Sequence, residues 1–441
     1  MVEKRWEAGG LLPVIVPRPE HTLSRANIAV EALKVLYRLH HAGYRAYLVG
    51  GSVRDLLLGK TPKDFDVATD ARPGEIRKLF RNSRIIGRRF RLVQVFFRGG
   101  KIVEVSTFRC RSEFDREGEV ALAGNNTFGT PAEDAQRRDL TINGLFYNIA
   151  DFSLVDYVGG LEDLRRGIIR VIGEPGVRFG RDPVRMLRVL RHAARTGFSI
   201  EPRAWEEIGA KAELIRGCPP ARLRDELLKD LRSGAARPFL ALMLKSGLFY
   251  ALLPWWQGRL DTKGEQRLLE LVGRLDEVYQ RGGSFSESLL WGVFLTPLVE
   301  GDPGAMIREA KMAESGEGRR RGSGPSAEEV REWRESILSL SREALGALEF
   351  PRPRQEEVSM LLALERLVRE YLKEGRPVPG RWARLAAYPE AWRLYRLKEA
   401  PLEEVLAALA TQSPTGPETP QRRRRHRPRG RKRRRKTSSP Q

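Results

Sequence analysis

Hydrophobic residues recur with mixed strand and helix spacing up to about residue 160, and with helix spacing after it. Ile28, Ala32, Leu33, Leu36 and Leu39 lie at helical intervals, which predicts a helix over 24–41 that Gly43 ends. A short apolar run predicts a strand over 46–49, turned by Gly50-Gly51 into a helix over 53–58. A second strand is expected over 65–68, and a helix over 73–80 with Pro73 in its first turn. Residues 92–97 and 102–108 read as two strands joined by Arg98-Gly99-Gly100, a hairpin signal. The segment 182–196 is an amphipathic helix with Asp182 as its cap, Pro183 in its first turn and Gly197 at its end. Val184, Leu187, Leu190 and Ala194 make its apolar stripe; Arg185, Arg188, Arg191, His192 and Arg195 make its basic face. Residues 203–300 and 326–410 are mostly helical by the same pattern, and the Gly-rich segment 301–326 between them reads as a loop or linker. The fold class is therefore α+β: a small mixed sheet first, helices afterwards.

A length of 441 residues implies more than one domain. The net charge of +22 says nothing about fold but predicts attraction to polyanions, nucleic acid first. The last 21 residues hold 12 Lys or Arg and no acid, a block expected to be disordered when free; the rest still carries 22 − 12 = +10. Cys110 and Cys218 cannot build a disulfide framework or a zinc site, and none of the five histidines forms a ligand pair with a cysteine. Any catalytic metal must then be held by oxygen ligands, as Mg²⁺ is. The first 13 residues mix charges and do not read as a signal peptide, and no apolar run is long enough for a membrane span. A cytoplasmic protein that engages no membrane is expected.

The chemistry concentrates in Val49-Gly50-Gly51-Ser52-Val53-Arg54-Asp55 followed by Asp64-Phe65-Asp66. Two residues apart on a predicted strand, Asp64 and Asp66 leave the same face and can share divalent cations. The glycine turn exposes backbone with no Cβ in the way, so phosphate can come close. Gly59-Lys60-Thr61 imitates the end of a Walker A motif, but the glycine that motif needs at position 54 is Arg. Glu104, an acid inside the β-branched run 102–105, is the candidate third carboxylate. Arg137-Arg138-Asp139-Leu140-Thr141-Ile142-Asn143 would, on a helix, set Asp139 and Asn143 one turn apart to bind ribose hydroxyls while Arg138 binds phosphate. Asp182 and Arg185 could present an acceptor and a donor fork to a base edge. Taken alone, each of the last two clusters is better explained as a helix cap with solvated arginines.

Taken together and in order, these motifs resemble the class II nucleotidyltransferases of the polymerase β superfamily, over roughly residues 25–220. That group contains the bacterial CCA-adding enzymes and poly(A) polymerases. The resemblance implies an irregular lead-in (1–24), a nucleotidyltransferase head or palm (25–158), a helical neck with the base-recognition helix (159–222), a helical body and tail that bind RNA (223–412) and a basic C-terminus (413–441). It implies metal binding by Asp64 and Asp66, and a catalytic set completed by Glu104 and Asp139. Nucleotide contacts fall on Gly50, Gly51, Ser52, Arg54, Arg138, Asn143 and Arg188, and base recognition on Asp182 and Arg185. The implied substrates are ATP with Mg²⁺ and RNA 3′ ends, from mRNA or other transcripts. The segment 86–92, the run 133–139 and the Arg-rich C-terminus resemble poly(A) polymerases; the basic C-terminus also suits sequence-independent grip on RNA and docking to RNA-degradation machinery. Arg181 stands where the family's base-reading motif has Glu, and Gln94 where His is expected. The alternative is a CCA-adding enzyme, or one adding part of CCA, with tRNA as its partner.

Overall fold

The computed structural model describes residues 6–7, 10–87, 91–110, 128–301 and 325–410. Arg88-Arg89-Phe90 of the basic stretch, most of the expected linker and the Arg-rich C-terminus lie outside the described residues. The chain divides into two compact units, Met1–Arg281 with Arg342–Pro351, and Gly282–Ser341 with Arg352–Gln441. The expected divisions near 158 and 222 fall inside the first unit.

The first unit is built on an eight-stranded mixed sheet, counted among the described residues: β1 Val14–Val16, β2 Ala46–Val49, β3 Asp66–Thr69, β4 Ser83–Ile86, β5 Leu92–Phe96, β6 Ile102–Thr107, β7 Leu145–Asn148 and β8 Leu154–Asp156. The spatial order is β1-β8-β7-β2-β3-β6-β5-β4, with β3 and β6 parallel and the other pairs antiparallel. One face buries Leu48, Val67, Val93 and Val105 against α1 (Val30–His41) and α3 (Pro73–Leu79). Because side chains alternate between faces, the residues one step along turn the other way. There Val49, Ala68, Phe108, Phe146 and Val155 pack with Ala135 of α4 (Pro131–Arg137).

Several elements differ from the sequence expectation. The expected irregular lead-in supplies the edge strand β1, paired with β8. The helix expected over 24–41 begins only at Val30. Before it Ser24 caps a 3-10 turn, and extended Ile28 and Ala29 break the helix while Leu23 and Ile28 enter the core. The strand expected over 65–68 starts at Asp66, because its partner β2 ends at Val49 where Gly50 turns away. Strands β4, β7 and β8 had no sequence assignment. Every residue of β8, and all but Asn148 of β7, is buried, so both read as plain apolar runs without alternation.

The remainder of the first unit is mainly helical, with one parallel strand pair, Ile168–Ile169 beside Ser199–Ile200: α5 Gly160–Arg166, α6 Pro175–Arg181, α7 Val184–Thr196, α8 Pro202–Ala210, α9 Pro220–Leu231, α10 Ala236–Lys245, α11 Leu248–Leu252 and α12 Thr262–Gln280. In the second unit, helices Glu287–Glu300, Arg352–Lys373 and Tyr388–Glu399 surround a buried Lys398 that pairs with Glu365 at 2.8 Å and Glu300 at 2.7 Å. Among the described residues no helix is long and apolar enough to cross a membrane.

Candidate active site

Pairing register lines up one row across five strands: Phe146, Val49, Asp66, Glu104 and Gln94. Its first two members are buried apolar residues and its last three are polar, so the row passes from core to site. Asp66 lies directly beside Glu104, and Gln94 Nε2 donates to Glu104 Oε1 at 3.0 Å. Asp64 precedes β3, so strand alternation does not fix its side chain as expected. It is nevertheless close enough to act on Asp66. Although Asp66 as a residue is exposed, its carboxyl is pushed up to about 6, first by loss of solvent around the carboxylate itself, then by the negative charge of Glu104, against the pull of Arg138, with Asp64 adding a smaller push.

The glycine turn borders this row. Gly50 takes φ 76 and ψ −142, a conformation that needs glycine, and α2 (Gly51–Leu57) follows. A Cβ on Gly50 would lie 3.3 Å from Arg138 Nη1 and 3.9 Å from Asp66 Oδ2, so turn, guanidinium and carboxylate enclose one small space. Ser52 Oγ donates to the Val49 carbonyl at 3.0 Å, which holds the turn shut. Arg138 is steered by Asp134 at 2.9 Å and by the Phe146 ring, 5.1 Å away. Its Nε is buried without a partner, as is the Nε of Arg188. Buried donors with no acceptor are rare. These two suit anionic oxygens.

Arg54, expected at the triphosphate, is engaged with side chains of the protein itself. It is 6% exposed. It donates to Asp55 Oδ1 from Nε (2.9 Å) and Nη2 (2.7 Å), to Asn143 Oδ1 from Nη1 (2.7 Å), and toward His192 Nδ1 (3.1 Å). It braces the turn from beneath, and these bonds leave one Nη2 hydrogen over. Asp139 and Asn143 do not share a helix either: α4 ends at Arg137, Arg138 is extended, and Thr141–Asn143 is a 3-10 turn. Leu140, paired with Val171, draws this segment out straight. The Asp139 carboxylate is taken by Arg185 and, at 2.7 Å, by Arg188. Asp182 does not cap α7. Extended ahead of Pro183, it receives Arg222 Nη1 and Nη2 at 2.9 and 3.1 Å and adjoins Arg185 Nε at 3.5 Å. Arg191 is not on a wet face: it is buried against Glu226 and Asp230 of α9, each at 2.5 Å.

Three residues were not singled out as partners in the sequence reading: His192, placed only on the basic face of α7, Asp134, named only within the run 133–139, and Arg222. Only Asp134 carried a local signal, its position one helical turn before Arg138. Among the described residues no three carboxylate, imidazole or thiol groups form a ready-made metal cage. The hard oxygens of Asp64 and Asp66, with Glu104 beside them, still fit Mg²⁺, which takes one or two carboxylates and completes its shell with water and substrate oxygens. Repulsion around Asp66 is the electrostatic state a cation would relieve.

Residues 46–170 match a family model described as the poly A polymerase head domain, and residues 197–257 one described as a probable RNA and SrmB-binding site of polymerase A. The chain is 51% identical over 269 residues to poly(A) polymerase I of Escherichia coli O157:H7, covering 58% of each. Over these regions the chain is similar to bacterial poly(A) polymerases and CCA-adding enzymes. A CCA-adding enzyme of Lactobacillus gasseri is a more distant relative, 37% identical over 235 residues, 52% of this chain and 57% of that one. The chain thus spans less than two thirds of the length of the curated relatives it matches. Among solved structures, the Bacillus stearothermophilus CCA-adding enzyme in complex with CTP superposes with a TM-score of 0.59 and 26% identity, over 86% of this chain and 81% of that one. The Thermotoga maritima CCA-adding enzyme complexed with tRNA, at 20% identity and a TM-score of 0.52 over 90% and 99%, shares the fold.

Proposed function

We propose that this protein is a poly(A) polymerase that adds AMP from ATP to RNA 3′ ends in the cytoplasm and releases pyrophosphate. The observation that carries this reading is the Asp66–Glu104 pair beside the Gly50 turn and Arg138. It sets metal-binding carboxylates next to unpartnered donors for phosphate. The higher identity to poly(A) polymerase I than to CCA-adding enzymes favours adenylate over CCA.

In this reading the RNA 3′-hydroxyl oxygen attacks the α-phosphorus in line. The new O–P bond forms as the bond to the β-phosphate oxygen breaks, and pyrophosphate leaves with the electrons of that bond. Asp64 and Asp66 would hold Mg²⁺, which supplies positive charge at the α-phosphate and the attacking oxygen. Glu104, held by Gln94, orients the 3′-hydroxyl or takes its proton. Arg138 and Arg188 direct Nε donors at phosphate oxygens. Arg185 and Asp182 stand at the entrance of α7 for the base. No covalent enzyme intermediate is required. The match of 197–257 to a model described as RNA and SrmB-binding supports the neck and the helices after it as the RNA grip, and as a place for RNA-handling partners to dock.

The test supplies purified protein and Mg²⁺ with a single-stranded RNA or a tRNA lacking its terminal CCA, and each nucleotide separately. Long ladders on the generic RNA with ATP alone are expected. Addition confined to the tRNA, stopping after two or three nucleotides and needing CTP, would make this a CCA-adding enzyme instead.

A further inference from the structure

The row that carries Asp66 and Glu104 runs on past Gln94. On the edge strand β4, Arg84 pairs with Gln94 in the same register. Directly opposite residues of neighbouring strands share a face. The order Asp66, Glu104, Gln94, Arg84 therefore crosses one side of the sheet, from carboxylate to guanidinium. On that side the core under α4 is made by Val49, Ala68, Phe146 and Val155, and it takes in no residue of β4, β5 or β6. Leu92, Phe96 and Ile102 leave their strands on the same side as Gln94 and Glu104. They join neither core, and Ile102 is 44% exposed. Arg84 is exposed and has no carboxylate partner among the described residues. The outer half of this face is thus open, with a polar row ending in an unpaired cation and an apolar step, Phe96 opposite Ile102, beside it.

We propose that this open face of β4, β5 and β6 is the subsite of the RNA 3′ end, with Arg84 on a backbone phosphate and Phe96 and Ile102 under a base. The inference rests on the nucleotidyl-transfer reading. Gly50 and Arg138 enclose the space beside Asp66, and in that reading the triphosphate occupies it. In-line displacement keeps the attacking and leaving oxygens on opposite sides of the α-phosphorus. With pyrophosphate leaving toward the turn, the 3′-hydroxyl comes in over Glu104, and the strand behind it leads away across β5 and β4. Arg84 stands two strand spacings from Glu104, about 10 Å, so its phosphate lies just behind the reacting end. A guanidinium fork suits a phosphate, and an aromatic ring suits a base whatever its identity. Neither contact reads sequence, which suits the extension of varied transcripts. Gln94 lies between them with its amide donating to Glu104 at 3.0 Å, and so holds that carboxylate beside the path of the strand.

Short single-stranded RNA primers, extended by the full chain at fixed salt with saturating ATP and Mg²⁺, test this. Arg84→Gln should raise the primer KM about tenfold, the worth of one hydrogen bond to a charged group, and shift the KM for ATP far less. Phe96→Ala should raise the primer KM by about the same factor, the worth of one stacked base. Lys78→Gln removes an equally exposed charge from α3, on the covered face of the same strands, and should change neither. Arg84 and Lys78 both lie on the surface, so their variants should melt with the wild type. A primer with one uncharged methylphosphonate linkage, moved stepwise back from its 3′ end, locates the phosphate. At one position the wild type should lose about tenfold and Arg84→Gln nothing more. A primer KM unchanged in Arg84→Gln or in Phe96→Ala, an equal effect in Lys78→Gln, or methylphosphonate losses alike in wild type and Arg84→Gln at every position overturns the proposal and leaves the function standing. A wild type that adds no nucleotide to any RNA overturns both.

Discussion

At the scale of single residues, the sharpest consequence concerns Asp66. An isolated Asp ionises near 3.8, and in the fold this one is pushed up to about 6. The sign follows from linkage. Between about pH 4 and 6 the folded chain keeps a proton that the unfolded chain has released, so stability falls as pH rises through that window, and above it the ionised carboxylate's penalty is fully present. A divalent cation binds the ionised form and offsets that penalty, so its affinity must fall as pH drops below about 6. Thermal melts with and without Mg²⁺ should therefore show a clear rise in Tm at pH 7.5 and little at pH 5. An equal rise at both would mean that Mg²⁺ acts elsewhere. Asp66→Asn should remove the Mg²⁺-dependent rise and lower nucleotide addition by about 10³-fold or more, the scale of losing a group that stabilises transition-state charge. Without metal the same variant should be slightly more stable than wild type, because one of three crowded carboxylates is gone.

At the scale of elements, α7 is held from two sides. Arg185 and Arg188 tie it to Asp139, and the buried Arg191 ties it to Glu226 and Asp230 of α9. Asp230→Ala would leave the Arg191 charge in the interior with half its partners, at a cost of about 3–5 kcal/mol. Replacing the whole cluster, Arg191→Met with Asp230→Leu and Glu226→Gln, should recover most of that loss in urea titrations; a triple variant as unstable as the single one would show that packing, and not the stranded charge, sets the cost. The sequence made α7 plain, through Val184, Leu187 and Leu190 on one stripe, all fully buried. It made the Gly50 turn and the 92–107 hairpin plain too, because each rests on neighbours in the chain. It could not show which arginines are spoken for. Arg54 meets Asn143 across 89 positions, Arg185 meets Asp139 across 46 and Arg222 meets Asp182 across 40. A basic face on a helix looks the same in sequence whether water or a carboxylate from another element satisfies it. The row from Phe146 to Gln94 was hidden for a related reason: β7 is buried on both faces and gives no period of two.

For the whole molecule the governing quantity is charge. Of the net +22, the 12 cations of the last 21 residues contribute more than half, packed into one twentieth of the chain. In the proposed reading such a block would add phosphate contacts that carry no sequence information, and each contact to single-stranded RNA would add about 0.7 to the slope of log K against log salt. A chain cut after residue 412 should bind a generic RNA more weakly at low salt and with a slope smaller by several units. The row from Phe146 to Gln94, the glycine turn and α7 remain intact in that chain. Addition of one nucleotide to a saturating primer should therefore proceed at nearly the full rate, while tails grown on scarce primer shorten. The two effects separate grip from chemistry. A cut chain with an unchanged salt slope would place the phosphate contacts on the globular part, whose own charge of +10 would then have to supply them. A cut chain that fails at single addition would mean that the basic segment takes part in forming the site.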